Sequence, residues 1–142
     1  MTRQSDAEFE AERIGSPSRA RRVDVRRTVY SFRHAGRGFI WALSSQANLR
    51  VHLAAAAIVL VAAVLLRFST IEFVGLTLCF AIVIAAELFN TALEVLIDYA
   101  WPEHHPMIGR AKDVAAAAVL VAAVGAAIVG VLLFARHIFH LS

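Results

Sequence analysis

The chain has 142 residues, of which 59% are apolar and 18% are charged, and its mean hydropathy is +0.66. This balance excludes a soluble domain of ordinary composition and is typical of an integral membrane protein with one domain. The net charge is +3, and most of the arginines precede the first apolar run. Because no base-reading module accompanies them, they favour contact with anionic lipid headgroups and not with nucleic acid.

The N-terminal part of the chain is polar. Residues 1–20 mix acids, arginine, serine and proline, which predicts a disordered tail. We expect residues 21–142 to form one membrane domain. Its first segment, residues 23–45, interleaves apolar and basic side chains. This pattern is typical of an amphipathic helix that lies along a membrane surface with its arginines at the headgroups.

Three apolar segments follow, and they predict transmembrane helices at about residues 51–68, 71–98 and 113–135. The expected fold class is therefore all-α, an integral membrane protein with three spans after an N-terminal surface helix. Basic residues mark the cytoplasmic side of a membrane. We therefore expect the arginine-rich N-terminus, and the loop before the third span, to lie in the cytoplasm.

A polar stripe interrupts the second apolar segment. Residues 73–86 carry no formal charge, and an ionised carboxylate in hydrocarbon costs roughly 3 kcal/mol or more. The acids that follow therefore predict a buried site for a cation or a proton near the cytoplasmic face. Three spans can hardly shield three acids in a monomer, which favours an oligomer. The stripe lies within roughly 60° of one direction on a helix and consists of Glu87, Asn90, Thr91, Glu94 and Asp98.

The stripe and the segment after it resemble a known family. The run E-L-F-N-T-A-L-E at residues 87–94, then Asp98, then G-R-A-K-D-V-A-A-A-A-V-L from Gly109, is similar to the small prokaryotic diacylglycerol kinases and their undecaprenol kinase relatives. The resemblance covers about residues 27–134. It implies a homotrimer in the bacterial inner membrane. It also implies phosphorylation of a lipid hydroxyl, on diacylglycerol or undecaprenol, at the cytoplasmic interface, with ATP as co-substrate and Mg²⁺ as cofactor.

The resemblance implies catalytic roles for three members of the stripe. Glu87 is expected to act as the general base on the lipid hydroxyl. Asn90 is expected to orient the site through hydrogen bonds, and Asp98 to support the metal or the nucleotide side.

The resemblance also implies contacts with the cofactors. Glu94 is expected to hold Mg²⁺, which prefers hard oxygen ligands, and Lys112 to meet a phosphate as a point charge. The family commonly has a second metal-binding glutamate before the first span, and Gln46 stands at that position here. The residues matched to the nucleotide are Arg27, Glu94, Glu103, His105, Lys112 and Asp113.

Two other functions stay open on the sequence. The same acids could serve a small ion or proton transporter, although they gather at one membrane face and do not form a relay across the bilayer. The neutral amide of Gln46 binds Mg²⁺ more weakly than a carboxylate, so an inactive family member with a structural role is the other alternative. His52, at the inner edge of the first span, is interpreted as a polar anchor.

Overall fold

The computed structural model describes residues 25–102 and 105–139. The predicted N-terminal tail lies outside these ranges, as does Glu103. The chain divides into two compact units, Met1–Arg37 and Gly38–Ser142. The described residues form four helices and no strand, namely α1 (Val25–Ser45), α2 (Ala47–Leu65), α3 (Thr70–Ala100) and α4 (Pro106–Ile138).

The last three helices are each long and apolar enough to cross a membrane. The predicted fold class, an all-α integral membrane protein with three spans, is therefore confirmed. Helices α3 and α4 extend beyond the predicted spans at both ends, whereas α2 begins four residues before its predicted span and ends three residues earlier, at Leu65. The extensions have a common cause. The flanking residues Arg50, Arg110 and Lys112 are good helix formers and continue the helices past the apolar cores.

In the first unit, the described part of α1 has the expected amphipathic character. Val29 and Phe32, three residues apart on one face, are exposed, and the exposed Arg33 and Arg37 follow on the same helix. An apolar face open beside a row of arginines is what binding along a membrane surface requires. The position of α1 on a membrane stays a prediction.

In the second unit, α3 is the central helix and packs against both α2 and α4. The buried residues Leu49, Ala56 and Ala63 recur every seven residues along α2, and Leu76 and Val83 do the same on α3. This repeat is typical of a left-handed helix pair, and the alanines let the two backbones approach closely. The packing fixes which face of α3 turns inwards.

A tight turn connects α2 to α3. The N–H of Phe68 donates to the carbonyl oxygen of Ala63 over 3.0 Å, which closes the end of α2. The turn places Arg67 at φ 58°, a left-handed conformation that favours glycine. α3 then begins with a capping box, in which the side chains of Ser69 and Glu72 each accept a hydrogen bond from the other residue's backbone N–H.

Replacing Arg67 by glycine should stabilise this turn. The left-handed conformation costs a non-glycine residue roughly 1–2 kcal/mol, so Arg67→Gly should raise the free energy of unfolding by about 1 kcal/mol. Denaturation by SDS in detergent micelles measures the change. The control, Arg67→Ala, removes the charge but keeps a Cβ atom, and we expect no stabilisation from it. Equal stabilisation by both variants would contradict the conformational explanation.

Candidate active site

The polar stripe lies on the inward face of α3. Glu87, Asn90 and Thr91 are only 2%, 7% and 3% exposed, whereas Glu94 is half-buried and Asp98 is exposed. Access to solvent therefore increases towards the C-terminal end of α3. The helices of one chain bury Glu87 but leave Glu94 half-buried and Asp98 exposed, so the homotrimer that the shielding of all three acids favoured stays a prediction.

Asn90 and Glu94 make a direct contact within the stripe. Asn90 Nδ2 donates a hydrogen bond to Glu94 Oε1 over 3.1 Å. Asn90 Oδ1 and Thr91 Oγ1 are buried and have no hydrogen-bond partner among the described residues. A buried polar atom without a partner costs about 1–3 kcal/mol. These two oxygens therefore favour a ligand that supplies the missing contacts.

The donor atoms of the stripe can be compared with the ligands that magnesium requires. Within residues 25–102 and 105–139, no group of three His, Cys, Asp or Glu residues could hold a metal ion. Magnesium, however, commonly takes one or two carboxylates and completes its shell with water and substrate phosphates. Glu94 together with the unpartnered oxygen of Asn90 fits that donor set. Gln46 is the N-cap of α2, and its side chain makes no capping hydrogen bond, so its amide is not committed to the helix end.

An ion pair joins α3 to α4 near the exposed end of the stripe. Lys112 contacts the carboxylate of Asp98, and their side chains are 32% and 66% exposed. The structure thus brings together two predicted site residues from different helices. Asp98 lies one turn beyond Glu94 on α3, and residues at that spacing are neighbours on a helix surface. The lysine therefore lies at the solvent-accessible end of the same polar face.

The other residues predicted to bind the nucleotide make no hydrogen bond or ion pair with the stripe in the part of the chain that the structure describes. His105 is the N-cap of α4, and its Nδ1 accepts a hydrogen bond from the Met107 N–H over 3.2 Å, a structural role that the sequence analysis missed. Asp113 is exposed and has no ion pair with a described residue. The side chain of Arg27 and the whole of Glu103 lie outside the described structure, so their roles stay predictions.

His52 is a neighbour of the stripe that the sequence analysis did not connect with it. The half-buried imidazole on α2 and the Glu94 carboxylate both interact electrostatically with Glu87. This electrostatic interaction depends on how α2 is aligned against α3, which helical periodicity within one segment does not reveal. The only sign of this in the sequence was a polar imidazole at the start of the first span. A polar anchor at the membrane boundary explains such a residue equally well.

An apolar groove opens between α2 and α4, with α3 as its floor. Its volume is about 550 Å³. The far end from His52 is closed by Phe134, whose ring centroid lies 4.8 Å from that of Phe68. The lining comes from α2 between His52 and Ala62, from Phe80 and Val83 of α3, and from α4 between Ala123 and Phe134.

Comparison with known proteins identifies the family. The model of the family "Prokaryotic diacylglycerol kinase" matches residues 33–134, more than half of the chain. The chain belongs to this family. The matched segment contains all the predicted site residues except Arg27, which precedes it. Membership confirms the predicted resemblance and the predicted class of enzyme, a lipid kinase in a membrane, for which ATP is the co-substrate.

The similar proteins are named for two different lipid substrates, undecaprenol and diacylglycerol. The undecaprenol kinase of Bacillus subtilis is 39% identical over 117 residues, which cover 82% of this chain and 95% of that protein. The diacylglycerol kinase of Synechocystis is 42% identical over 103 residues, covering 72% of this chain and 59% of that protein. The diacylglycerol kinase of Escherichia coli K12 is 39% identical over 56 residues, which cover 46% of its length.

Variants of the ion pair should separate stability from activity. Because an exposed pair contributes about 0–1 kcal/mol, Asp98→Asn and Lys112→Met should change the free energy of unfolding very little. We expect each to lower kinase turnover at least ~10-fold, a loss equal to about 1.4 kcal/mol of transition-state stabilisation. Turnover with ATP and a lipid alcohol, and SDS denaturation, measure the two effects.

The matched control is the charge-reversed pair, Asp98→Lys with Lys112→Asp. It should have the same stability as the natural pair but should not recover turnover. In the reversed pair a carboxylate stands at position 112, where the lysine is proposed to meet a phosphate of the nucleotide. Recovery of full turnover by the reversed pair would show that the ion pair matters only as a link between α3 and α4.

Proposed function

We propose that this chain transfers the γ-phosphate of ATP to the hydroxyl of a membrane lipid, with Mg²⁺, at the cytoplasmic face of the bacterial inner membrane. The observation that carries the proposal is the burial of Glu87, which is 2% exposed. Asn90 lies one turn from it and donates a hydrogen bond to Glu94, which lies one turn further on. Phosphoryl transfer requires a group that orients the attacking hydroxyl and groups that neutralise phosphate charge. The stripe and Lys112 supply both.

Glu87 is the proton acceptor. It makes no hydrogen bond with a described residue, so its carboxylate oxygens are available to a lipid hydroxyl. The hydroxyl oxygen bonds to the γ-phosphorus while Glu87 takes the hydroxyl proton. The bond from the γ-phosphorus to the β–γ bridging oxygen breaks, and the products are a lipid phosphate and ADP.

Glu94 and Asn90 hold the Mg²⁺–ATP end of the site, with Gln46 as a further oxygen ligand. Bound Mg²⁺ supplies neutralisation of the phosphate charge. Lys112 meets a phosphate through its flexible ammonium group, and Asp98 holds that group near the site before the nucleotide arrives. The nucleotide contacts proposed from the resemblance are Arg27, Glu103, His105 and Asp113.

The cytoplasmic orientation is supported by charge. The arginines of α1 precede the first span, and Arg110 and Lys112 stand at the start of α4, and the positive-inside rule supports a cytoplasmic location for both regions. The C-terminal end of α3 and its carboxylates then face the compartment that contains ATP. The homotrimer is proposed from the family resemblance and from the incomplete shielding of the three acids in a single chain.

We propose undecaprenol as the preferred acceptor. The match to the Bacillus subtilis undecaprenol kinase covers 95% of that protein, whereas the match to the Synechocystis diacylglycerol kinase covers 59%. The apolar groove is also a single open groove of about 550 Å³, and undecaprenol has one chain where diacylglycerol has two.

The transporter hypothesis has less support. Residues 73–86 carry no charge, so the acids do not continue along α3. The acid at the other end of the helix, Glu72, accepts a hydrogen bond from the Ser69 N–H over 2.8 Å and serves as a helix cap. The carboxylates of α3 therefore form a site at one end and not a relay.

Replacing either central acid by its amide should abolish transfer and leave the fold. Glu87→Gln and Glu94→Gln should each lower turnover by roughly 100-fold or more, and Glu94→Gln should also raise the Mg²⁺ concentration for half-maximal activity. Purified protein in mixed micelles, with labelled ATP and undecaprenol or diacylglycerol side by side, gives the rates. Glu72→Gln, on the same helix but outside the site, is the control and should keep full activity.

Three results would change the conclusion. No transfer by the natural chain to either lipid would overturn the kinase proposal. Full activity of both glutamine variants would overturn the roles given to Glu87 and Glu94. Ion flux through liposomes that needs no ATP would favour the transporter instead.

Gln46→Glu tests the weakened metal site. A carboxylate binds Mg²⁺ more tightly than an amide oxygen, so the Mg²⁺ concentration for half-maximal activity should fall by about 10-fold, or 1.4 kcal/mol. Gln46→Ala is the control and should raise it. If activity appeared only in the glutamate variant, the natural chain would be an inactive family member.

A further inference from the structure

We propose that His52 binds the hydroxyl end of the lipid and positions it against Glu87. The inference rests on the proposed function and adds a substrate contact from α2, a helix to which only the metal ligand Gln46 was assigned. It depends on two features, the polarity of the apolar groove and the place where the groove meets the polar stripe.

The apolar groove has one polar end. Its lining on α2, α3 and α4 is built from Ala, Val, Ile, Phe and Gly, and His52 is the one described lining residue whose side chain is able to form hydrogen bonds. From His52 to Ala62 the groove follows α2 for roughly 15 Å, at 1.5 Å per residue. An apolar site with a single polar group selects an amphiphile and fixes its direction. The ligand that fits has a long hydrocarbon chain and one small polar end.

The polar end of the groove coincides with the chemistry of α3. Val83 lines the groove, and Glu87 follows one turn later on the same inward face. His52 interacts electrostatically with Glu87 across the α2–α3 contact. A chain that lies in the groove with its hydroxyl at His52 therefore presents that hydroxyl to Glu87.

The two side chains make complementary contacts with one hydroxyl. An imidazole carries at least one N–H donor in either protonation state, and that donor can bind the hydroxyl oxygen. The Glu87 carboxylate accepts the hydroxyl hydrogen. Two contacts on one small group set its direction as well as its place, and orientation of this kind contributes to rate without any covalent step.

The test measures binding without ATP. A photoactivatable undecaprenol is bound to the full chain in lipid nanodiscs, and its labelling is competed with unlabelled undecaprenol or with the same hydrocarbon lacking the hydroxyl. The natural chain should prefer the alcohol by at least about 10-fold, equal to 1.4 kcal/mol. His52→Leu keeps an apolar side chain but forms no hydrogen bond, so the preference should fall to near one. His52→Asn, which keeps a donor, should retain part of it.

Val51→Leu is the matched control, because Val51 is the preceding residue of α2 and is 64% exposed. It should keep the full preference for the alcohol. An unchanged preference in His52→Leu would overturn the inference, and so would an equal weakening of alcohol and hydrocarbon, which indicates packing alone. Absence of labelling at groove residues in the natural chain would also overturn it, and would indicate that a second copy of the chain covers the groove.

Turnover distinguishes this inference from the proposed function. His52→Leu should raise KM for the lipid and lower kcat, and leave KM for ATP unchanged. If the natural chain shows the His52-dependent preference but transfers no phosphate, the kinase proposal fails and the binding role of His52 stands. If it transfers phosphate and the preference does not depend on His52, the binding role fails and the kinase proposal stands.

Discussion

The burial of the Glu87 carboxyl group inside an apolar three-helix unit is the constraint on which the rest of the structure depends. A carboxylate facing hydrocarbon would cost roughly 3 kcal/mol or more, so α3 must be covered by a helix on each side at that level. The unpartnered oxygens of Asn90 and Thr91 add to the cost. Packing elsewhere must offset it, and the closely spaced alanines of α2 provide part of that packing.

One face of α3 both packs against the neighbouring helices and carries the polar site. Leu76 and Val83 pack against the neighbouring helices, and the same face continues into Glu87 and Asn90. The change from packing to chemistry takes a single helical turn. Because the apolar contacts fix the rotation of α3, they also fix the direction in which the carboxylates point. The active site therefore inherits its geometry from the hydrophobic repeat and needs no loop to position it.

Features that depend on one helix could be predicted from the sequence, and features that depend on two could not. The three spans and the polar stripe follow from composition and helical period. The electrostatic interaction of His52 with Glu87 and the ion pair of Lys112 with Asp98 depend on how neighbouring helices are aligned. The shielding of the three acids also depends on neighbouring helices: one chain buries Glu87 but leaves Glu94 half-buried and Asp98 exposed, so the oligomer predicted from shielding stays a prediction.

The chemistry of the apolar groove also bears on how one family can contain kinases named for undecaprenol and for diacylglycerol. An apolar pocket distinguishes ligands that differ by a methylene group by only about 1–3 kcal/mol, whereas a site built to hydrogen-bond a hydroxyl rejects a ligand without one far more strongly. If the groove holds the lipid as proposed, its apolar walls and the single polar end at His52 would make it strict about the hydroxyl and permissive about the chain. Selection between lipids must then come from the width of the groove, where small residues such as Ala55 and Ala123 set the space between α2 and α4.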